Sequence, residues 1–155
     1  MTNNDILRRL RYIEHLDNPN MLAVFGLSGL SVTETDLDDM LKREEEPGAM
    51  ECPDKVLNAF LDGLITKRRG PRDDGPNRKG DLPLNNNLIL RKLRIALELK
   101  DTDIIDIMQE VGTTVSKNEV SALFRKRDHR NFKACGDQFL RKFLSGLNTR
   151  AASKK

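Results

Sequence analysis

Apolar residues recur along the chain at the three- and four-residue spacing that places them on one face of a helix. The first such stripe, interrupted by arginines and other polar residues, comprises Ile6, Leu7, Leu10, Ile13 and Leu16. Asn4 is its predicted N-cap. Three more helices are predicted. One ends at Gly29, because glycine is favoured just past a helix C-terminus. One begins after Thr33, and one begins at Pro53, because proline is favoured in the first turn of a helix. No segment alternates as a strand does, so the pattern predicts an all-α fold.

The whole pattern is present twice. A shift of 83 residues aligns residues 3–11 with 86–94 and residues 52–57 with 135–140, and it makes Asn87 the counterpart of Asn4. About 18 of the 65 aligned positions are identical, roughly 28%. Self-similarity at a fixed period indicates a repeat architecture. We therefore predict two pseudo-symmetric four-helix repeats packed together.

Composition sets the boundaries of the repeats. The first helical repeat covers residues 1–67 and the second covers residues 85–150. Residues 68–84 contain three glycines and three prolines among mostly polar side chains, which is typical of a flexible linker. Residues 151–155 are expected to form a disordered tail.

Each repeat has a glycine in the middle of its fourth helix, at Gly63 and Gly146. A mid-helix glycine costs about 1 kcal/mol relative to alanine, so a close helix crossing is expected to offset that cost. Because a single small repeat is only marginally stable, we expect the repeats to share a core. The hypothesis is that the two fourth helices cross at these glycines, about a pseudo-twofold axis.

Two cysteines occupy equivalent places, Cys52 and Cys135, each just before a fourth helix. Two cysteines are too few for a disulfide framework or for the four ligands of a structural zinc ion. The positive end of a helix dipole favours a thiolate, so one interpretation is a reactive thiol, or a link between the two cysteines. The other interpretation, favoured because no histidine or lysine accompanies both copies, is a small residue buried at a helix start.

Repeated charged residues predict structural contacts. Arg8 recurs as Arg91, and Asp54 recurs as Asp137. Because the planar guanidinium of arginine pairs well with carboxylates, we predict one ion pair in each repeat, Arg8–Asp54 and Arg91–Asp137. The alternative is that the arginines contact phosphate.

The formal net charge of +3 conceals opposite charges in the two repeats. Residues 1–66 carry a net charge of −7, residues 67–84 carry +3 and residues 85–155 carry +7. No apolar run reaches the roughly 18 residues of a membrane span, and the N-terminus lacks the features of a secretory signal. A soluble, cytoplasmic protein is therefore expected, with no membrane partner.

The positive charge of the second repeat is concentrated in and after its third helix. A helix, a glycine turn and a capped helix loosely resemble a helix-turn-helix DNA-binding unit, although the turn at residues 112–116 is longer than the standard one. Such a patch would bind phosphates with a steep salt dependence. The candidate contacts are Lys117, Arg125, Lys126, Arg127, Arg130, Lys133, Arg141 and Lys142. A protein-binding surface, including one for the acidic repeat of another molecule, is equally open.

No catalytic constellation can be built from residues that occur in both repeats. His15 and His129 are not repeated, and the sequence contains no metalloprotease, P-loop or dinucleotide-binding motif. We therefore expect no enzymatic activity, no metal, no cofactor and no small-molecule substrate.

Two doubled motifs are specific to a known family. These are Asn-Asn-x-x-Leu-Arg-(Arg/Lys)-Leu-Arg and the later Cys-x-Asp-x-x-Leu-x-x-Phe-Leu-x-Gly-Leu. With them, the chain resembles the YehS-like family of small cytoplasmic bacterial proteins, which are built from a duplicated domain of unknown function. The resemblance covers residues 3–150. It implies the duplicated layout, and it implies no activity or catalytic residues.

Together, these features predict a non-enzymatic binding or regulatory module. The preferred hypothesis is that the second repeat and the linker contact DNA or RNA. One alternative is a protein–protein adaptor, or a module that self-associates through its opposite charges. The other alternative is a thiol-based sensor that uses Cys52 and Cys135.

Overall fold

A computed structural model describes residues 1–71 and 82–153, and within these ranges the regular structure is helical, without strands. The predicted all-α fold is therefore confirmed. The chain divides into two compact units, Met1–Leu84 and Asn85–Lys155. Most of the predicted linker, at residues 72–81, and the end of the predicted tail, at residues 154–155, lie outside the described residues.

The first unit contains four helices, α1 (Asn3–Ile13), α2 (Asn18–Leu27), α3 (Glu34–Leu41) and α4 (Asp54–Arg69). Three of the helices have a side-chain N-cap. In each, the oxygen of the capping side chain accepts a hydrogen bond from a first-turn N–H group that has no partner within the helix. The capping residues are Thr2, Asp17 and Thr33. Helix α2 packs along α4, and α3 packs against α1 and α2. The core between them contains Leu7, Met21, Phe25, Leu37 and Phe60.

The second unit repeats this order with α5 (Asn86–Leu97), α6 (Asp101–Glu110), α7 (Lys117–Leu123) and α8 (Asp137–Ser153). Each of these helices begins 83 residues after its counterpart. Helix α7 begins with a capping box, in which Ser116 and Glu119 each accept a hydrogen bond from the other's backbone N–H. The sequence alignment thus predicts where every helix of the second unit starts.

Helix α8 is longer than the sequence predicted. It continues to Ser153, and Ala151 in its last turn is buried. The expected disorder is therefore wrong for residues 151–153, because the apolar stripe of α8 continues into them. Helix α4 ends at Arg69, so it includes the first two residues of the predicted linker. In this last turn, Arg68 donates two hydrogen bonds to the Glu14 carboxylate, at 2.7 and 2.8 Å.

Gly63 and Gly146 do lie at close helix crossings, but the expected partner helix is wrong. A Cβ atom at Gly63 would lie 2.0 Å from the carbonyl oxygen of Val24 in α2. A Cβ atom at Gly146 would lie 2.5 Å from a side-chain methyl of Ile107 in α6. The glycines therefore allow the second helix of each repeat to approach the fourth helix of the same repeat.

Candidate nucleic-acid interface

The candidate site centres on residues 125–134, which join α7 to α8 and which we call the basic loop. Two turns shape it, since the N–H of His129 donates to the carbonyl of Lys126 and the N–H of Phe132 donates to the carbonyl of His129, both at 2.9 Å. The N–H of Lys133 then donates to a carbonyl of α7 at 3.1 Å. The loop backbone is thus held in one conformation.

Asn87, in the first turn of α5, anchors both ends of the basic loop. Its side-chain amide donates to the carbonyls of Leu123 and Lys133, both at 2.9 Å. Its side-chain oxygen accepts from the N–H of Cys135 at 2.8 Å. One side chain therefore joins α5 to the end of α7, the end of the loop and the start of α8.

Asn4 makes the same three contacts in the first repeat, at distances of 2.8 to 2.9 Å, with Met40, Met50 and Cys52. The predicted N-cap role of both asparagines is wrong, because the caps are Thr2 and Asn85. The asparagines lie within the first turn instead, so their side chains are free to reach across the unit. Sequence reasoning missed this function, although the recurrence of both asparagines was its signal.

The counterpart of the basic loop is residues 42–51, which we call the acidic loop. It has the same backbone hydrogen bonds at 3.0 to 3.2 Å, from Glu46 to Arg43, from Ala49 to Glu46 and from Met50 to Asp39. The net charges differ, being −2 for the acidic loop and +4 for the basic loop with histidine neutral. The two loops therefore share these backbone hydrogen bonds and carry opposite charges, although Gly48 adopts a positive φ and its counterpart Asn131 does not.

Three predicted contact residues, Lys126, Arg127 and Arg130, are exposed on the basic loop. Among the residues that the structure describes, their side chains make no ion pair. Arg125 is half-buried and donates to the carbonyl of Asn131 at 3.3 Å. Lys133 lies 3.7 Å from the carboxylate of Glu119. Three charged side chains of the loop are thus exposed without an ion pair to a described residue, and two make weak internal contacts.

The other predicted contact residues lie outside the loop. Lys117 is the first residue of α7, and both Lys117 and Arg141 of α8 are exposed. Lys142 is half-buried, and its Nζ donates to the hydroxyl of Thr113 at 3.1 Å. The structure therefore brings five of the eight candidate residues into one loop and places the other three on the flanking helices.

The predicted ion pair of the first repeat is not formed. Arg8 pairs with Asp5 and donates to the carbonyl of Lys42, at the C-cap of α3, at 2.8 Å. Asp54 instead accepts from the side chain of Asn3 at 2.7 Å. The arginine satisfies a helix-end carbonyl that has no partner within the helix, and the asparagine takes the carboxylate.

The second repeat shows the same rearrangement of partners. Arg91 donates to the carbonyl of Phe124, at the C-cap of α7, at 3.3 Å. Asp137 accepts from Asn86 at 2.7 Å, and this hydrogen bond holds the pKa of Asp137 below its usual range. The prediction that these repeated charges form an ion pair is therefore wrong in both repeats, although each residue has a structural contact.

Cys52 and Cys135 are free, buried thiols. Burial raises the pKa of Cys52 to about 12, and burial raises that of Cys135 to about 11. The carboxylates of Asp54 and Asp137 add to the effect, because a neighbouring negative charge disfavours a thiolate. The pKa shift is thus opposite to the one expected from the helix dipole, which favours a packing role for both residues.

No group of three or more histidine, cysteine, aspartate or glutamate side chains is placed to hold a metal ion within residues 1–71 and 82–153. In the same ranges, none of the helices has both the length and the apolar character needed to cross a membrane.

A family described as "Protein of unknown function (DUF1456)" matches the chain twice, at residues 3–70 and at residues 86–151. The chain belongs to this family. The two DUF1456 matches coincide with the two four-helix units, so the duplication and the resemblance noted above are confirmed. "Uncharacterized protein YehS" of Escherichia coli (strain K12) is 43% identical over 155 residues, which is 100% of this chain and 99% of that protein. No solved structure gives a significant match.

Proposed function

We propose that this DUF1456 protein is a non-enzymatic nucleic-acid-binding module whose basic loop contacts the phosphate backbone. The observation that carries the proposal is the reversal of charge between two loops that share the same backbone hydrogen bonds. The fold forms the acidic loop without a cluster of cations. The cations of the basic loop are therefore not needed for folding, and a binding role explains them.

The charge reversal extends through the preceding helix. Residues 34–51, which comprise α3 and the acidic loop, carry a net charge of −6. Residues 117–134, which comprise α7 and the basic loop, carry +4. Like charges crowded on one surface repel each other and destabilise the compact state. A polyanion removes that repulsion and releases its own counterions, which favours binding.

The chemistry of the loop favours contact with phosphates over reading of bases. Arg127 and Arg130 each present a planar set of donors that matches two phosphate oxygens. Helix α7 carries a single cation, Lys117, and it is only seven residues long. The geometry thus fits a module of low sequence preference. In this proposal the linker adds phosphate contacts through its own charge of +2 over residues 68–84.

The proposal is tested by measuring affinity for mixed-sequence single-stranded and duplex DNA at low salt. The informative variant is Lys126/Arg127/Arg130→Ala, which removes the three exposed loop cations that have no described ion pair. We expect it to weaken binding strongly while leaving the helical circular dichroism unchanged. The matched control is Arg43→Ala, at the position in the acidic loop that corresponds to Lys126. Absence of binding at low salt, or equal affinities for the wild type and the triple variant, would refute the proposal.

A second candidate function is self-association, which the same charges favour. The acidic α3 and acidic loop of one molecule complement the basic loop of another, in a heterologous contact. Screening by salt weakens such a contact between exposed charges. Light scattering of the protein alone is expected to show a larger mass at low salt than at high salt if this function is correct. A salt-independent monomer would refute it.

A further inference from the structure

A cavity of about 230 Å³ adjoins the end of the basic loop. Its lining includes the buried apolar residues Val115, Leu123 and Cys135. The half-buried ring of Phe139, in the first turns of α8, forms one wall. This volume is below the roughly 300 Å³ at which pockets for drug-sized ligands begin. The cavity therefore suits a single small ring system.

The walls of the cavity are fixed in place by contacts already described. The Asn87 side chain holds the backbone of both Lys133 and Cys135, which line the cavity. Lys142 also donates to the hydroxyl of Thr113, another lining residue. A cavity whose lining residues are held by hydrogen bonds is preorganised, so a ligand need not order it.

The rim of the cavity is charged, in contrast to its buried apolar lining. Lys133 and Glu119 line it and lie 3.7 Å apart, with about half of each side chain exposed. Lys133 is also a member of the basic loop, so the cavity and the proposed phosphate surface are continuous. An apolar recess beside a row of cations matches a flat, uncharged aromatic ring that is attached to a phosphate.

We infer that this cavity receives one unstacked base of a single-stranded nucleic acid whose phosphates lie along the basic loop. The inference rests on the proposed function and specifies its substrate as single-stranded. Phe139 supplies the stacking surface, as aromatic side chains do in proteins that bind single strands. Threonine hydroxyls and the Glu119 carboxylate at the cavity supply partners for the polar edge of the base.

The first repeat offers a matched control for every part of this inference. The positions that correspond to Lys133, Gly136 and Phe139 hold Met50, Pro53 and Val56. The first repeat thus lacks both the cation and the aromatic wall, although its backbone contacts are the same. Phe139→Val gives the second repeat the side chain that the first repeat tolerates at the equivalent place.

The test compares two probes of equal charge, a short oligothymidylate and the same strand with abasic residues throughout. The wild type is expected to bind oligothymidylate about tenfold more tightly than the abasic strand, since stacking on one aromatic side chain contributes on the order of tenfold. Phe139→Val is expected to lose this preference while keeping its affinity for the abasic strand. Ala134→Leu, which narrows the cavity from an exposed position, is expected to do the same. Val56→Ala is expected to retain the preference.

The outcomes separate the two proposals. If neither strand binds to the wild type at low salt, the proposed function fails and this inference fails with it. If both strands bind to the wild type equally well, the base-binding cavity is refuted while the phosphate surface stands. Equal preferences in the wild type and both cavity variants also refute it. Unchanged affinity for the abasic strand shows that a variant is folded, so loss of preference is not a folding defect.

Discussion

Replacing Asn87 by alanine tests the contact on which the basic loop depends. The substitution removes three hydrogen bonds, with two carbonyls at 2.9 Å and one N–H at 2.8 Å. Each such bond contributes about 1 kcal/mol net, and two of the three, those with Leu123 and Cys135, are partly buried. We therefore expect Asn87→Ala to lower the free energy of unfolding by about 3 kcal/mol. Asn4→Ala, at the more buried equivalent position, is expected to cost at least as much.

The assay is urea denaturation followed by far-ultraviolet circular dichroism, together with hydrogen exchange of the backbone amides. Exchange at Cys135 and Lys133 is expected to accelerate, because their N–H groups lie at the anchored end of the loop. The matched control is Asn118→Ala, since Asn118 is exposed on α7 and has no described side-chain contact. A loss below about 1 kcal/mol for Asn87→Ala, the value of a single hydrogen bond, would refute the anchoring role.

Two further predictions concern glycine and cysteine. Gly63→Ala is expected to lower stability by several kcal/mol in a thermal melt, because the added Cβ would lie 2.0 Å from the backbone oxygen of Val24. Gly26→Ala is the control, since no atom lies within 4 Å of its added Cβ, and it should be neutral or stabilising. Equal melting temperatures for the two variants would contradict the close crossing at Gly63. Burial raises the pKa of Cys52 to about 12 from 9.0, so this thiol contributes stability that is present below pH 9 and lost as the pH rises towards 12. Alkylation of native Cys52 near pH 8 should accordingly be slow and should accelerate on unfolding, while rapid labelling would contradict the burial.

The starts of the second repeat's helices could be predicted from the sequence, because the duplication shows the signals for each helix start twice, 83 residues apart. Ser116 and Glu119 form a capping box that depends on residues three apart, which is local information. Gly29 and Gly112 both adopt positive φ just past a helix, as predicted. His15 and Glu98 also adopt positive φ at equivalent positions. The sequence did not reveal this, because neither residue type signals a positive φ as glycine does.

Long-range partners were harder to predict than helix starts. Asn4 is an acceptable N-cap by local rules. Its actual partners are separated from it by 36 to 48 positions in the sequence, and only the fold brings them within reach of its side chain. Arg8 and Asp54 are likewise chemically compatible as an ion pair. In the fold, however, the side chain of Asn3 donates to the Asp54 carboxylate instead. The charge of the basic loop was evident from sequence. The backbone hydrogen bonds that it shares with the acidic loop, which make the charge informative, became visible only in the structure.

The central claim is that the basic loop binds nucleic acid phosphates, and the slope of log affinity against log salt concentration tests it most directly. Each phosphate contact contributes about 0.9 to this slope for duplex DNA and about 0.7 for single strands. For the Lys126/Arg127/Arg130→Ala variant, the slope is therefore predicted to be shallower than that of the wild type by about 2 to 3, while Arg43→Ala leaves it unchanged. A wild-type slope near zero, or equal slopes for the wild type and the triple variant, would contradict the claim.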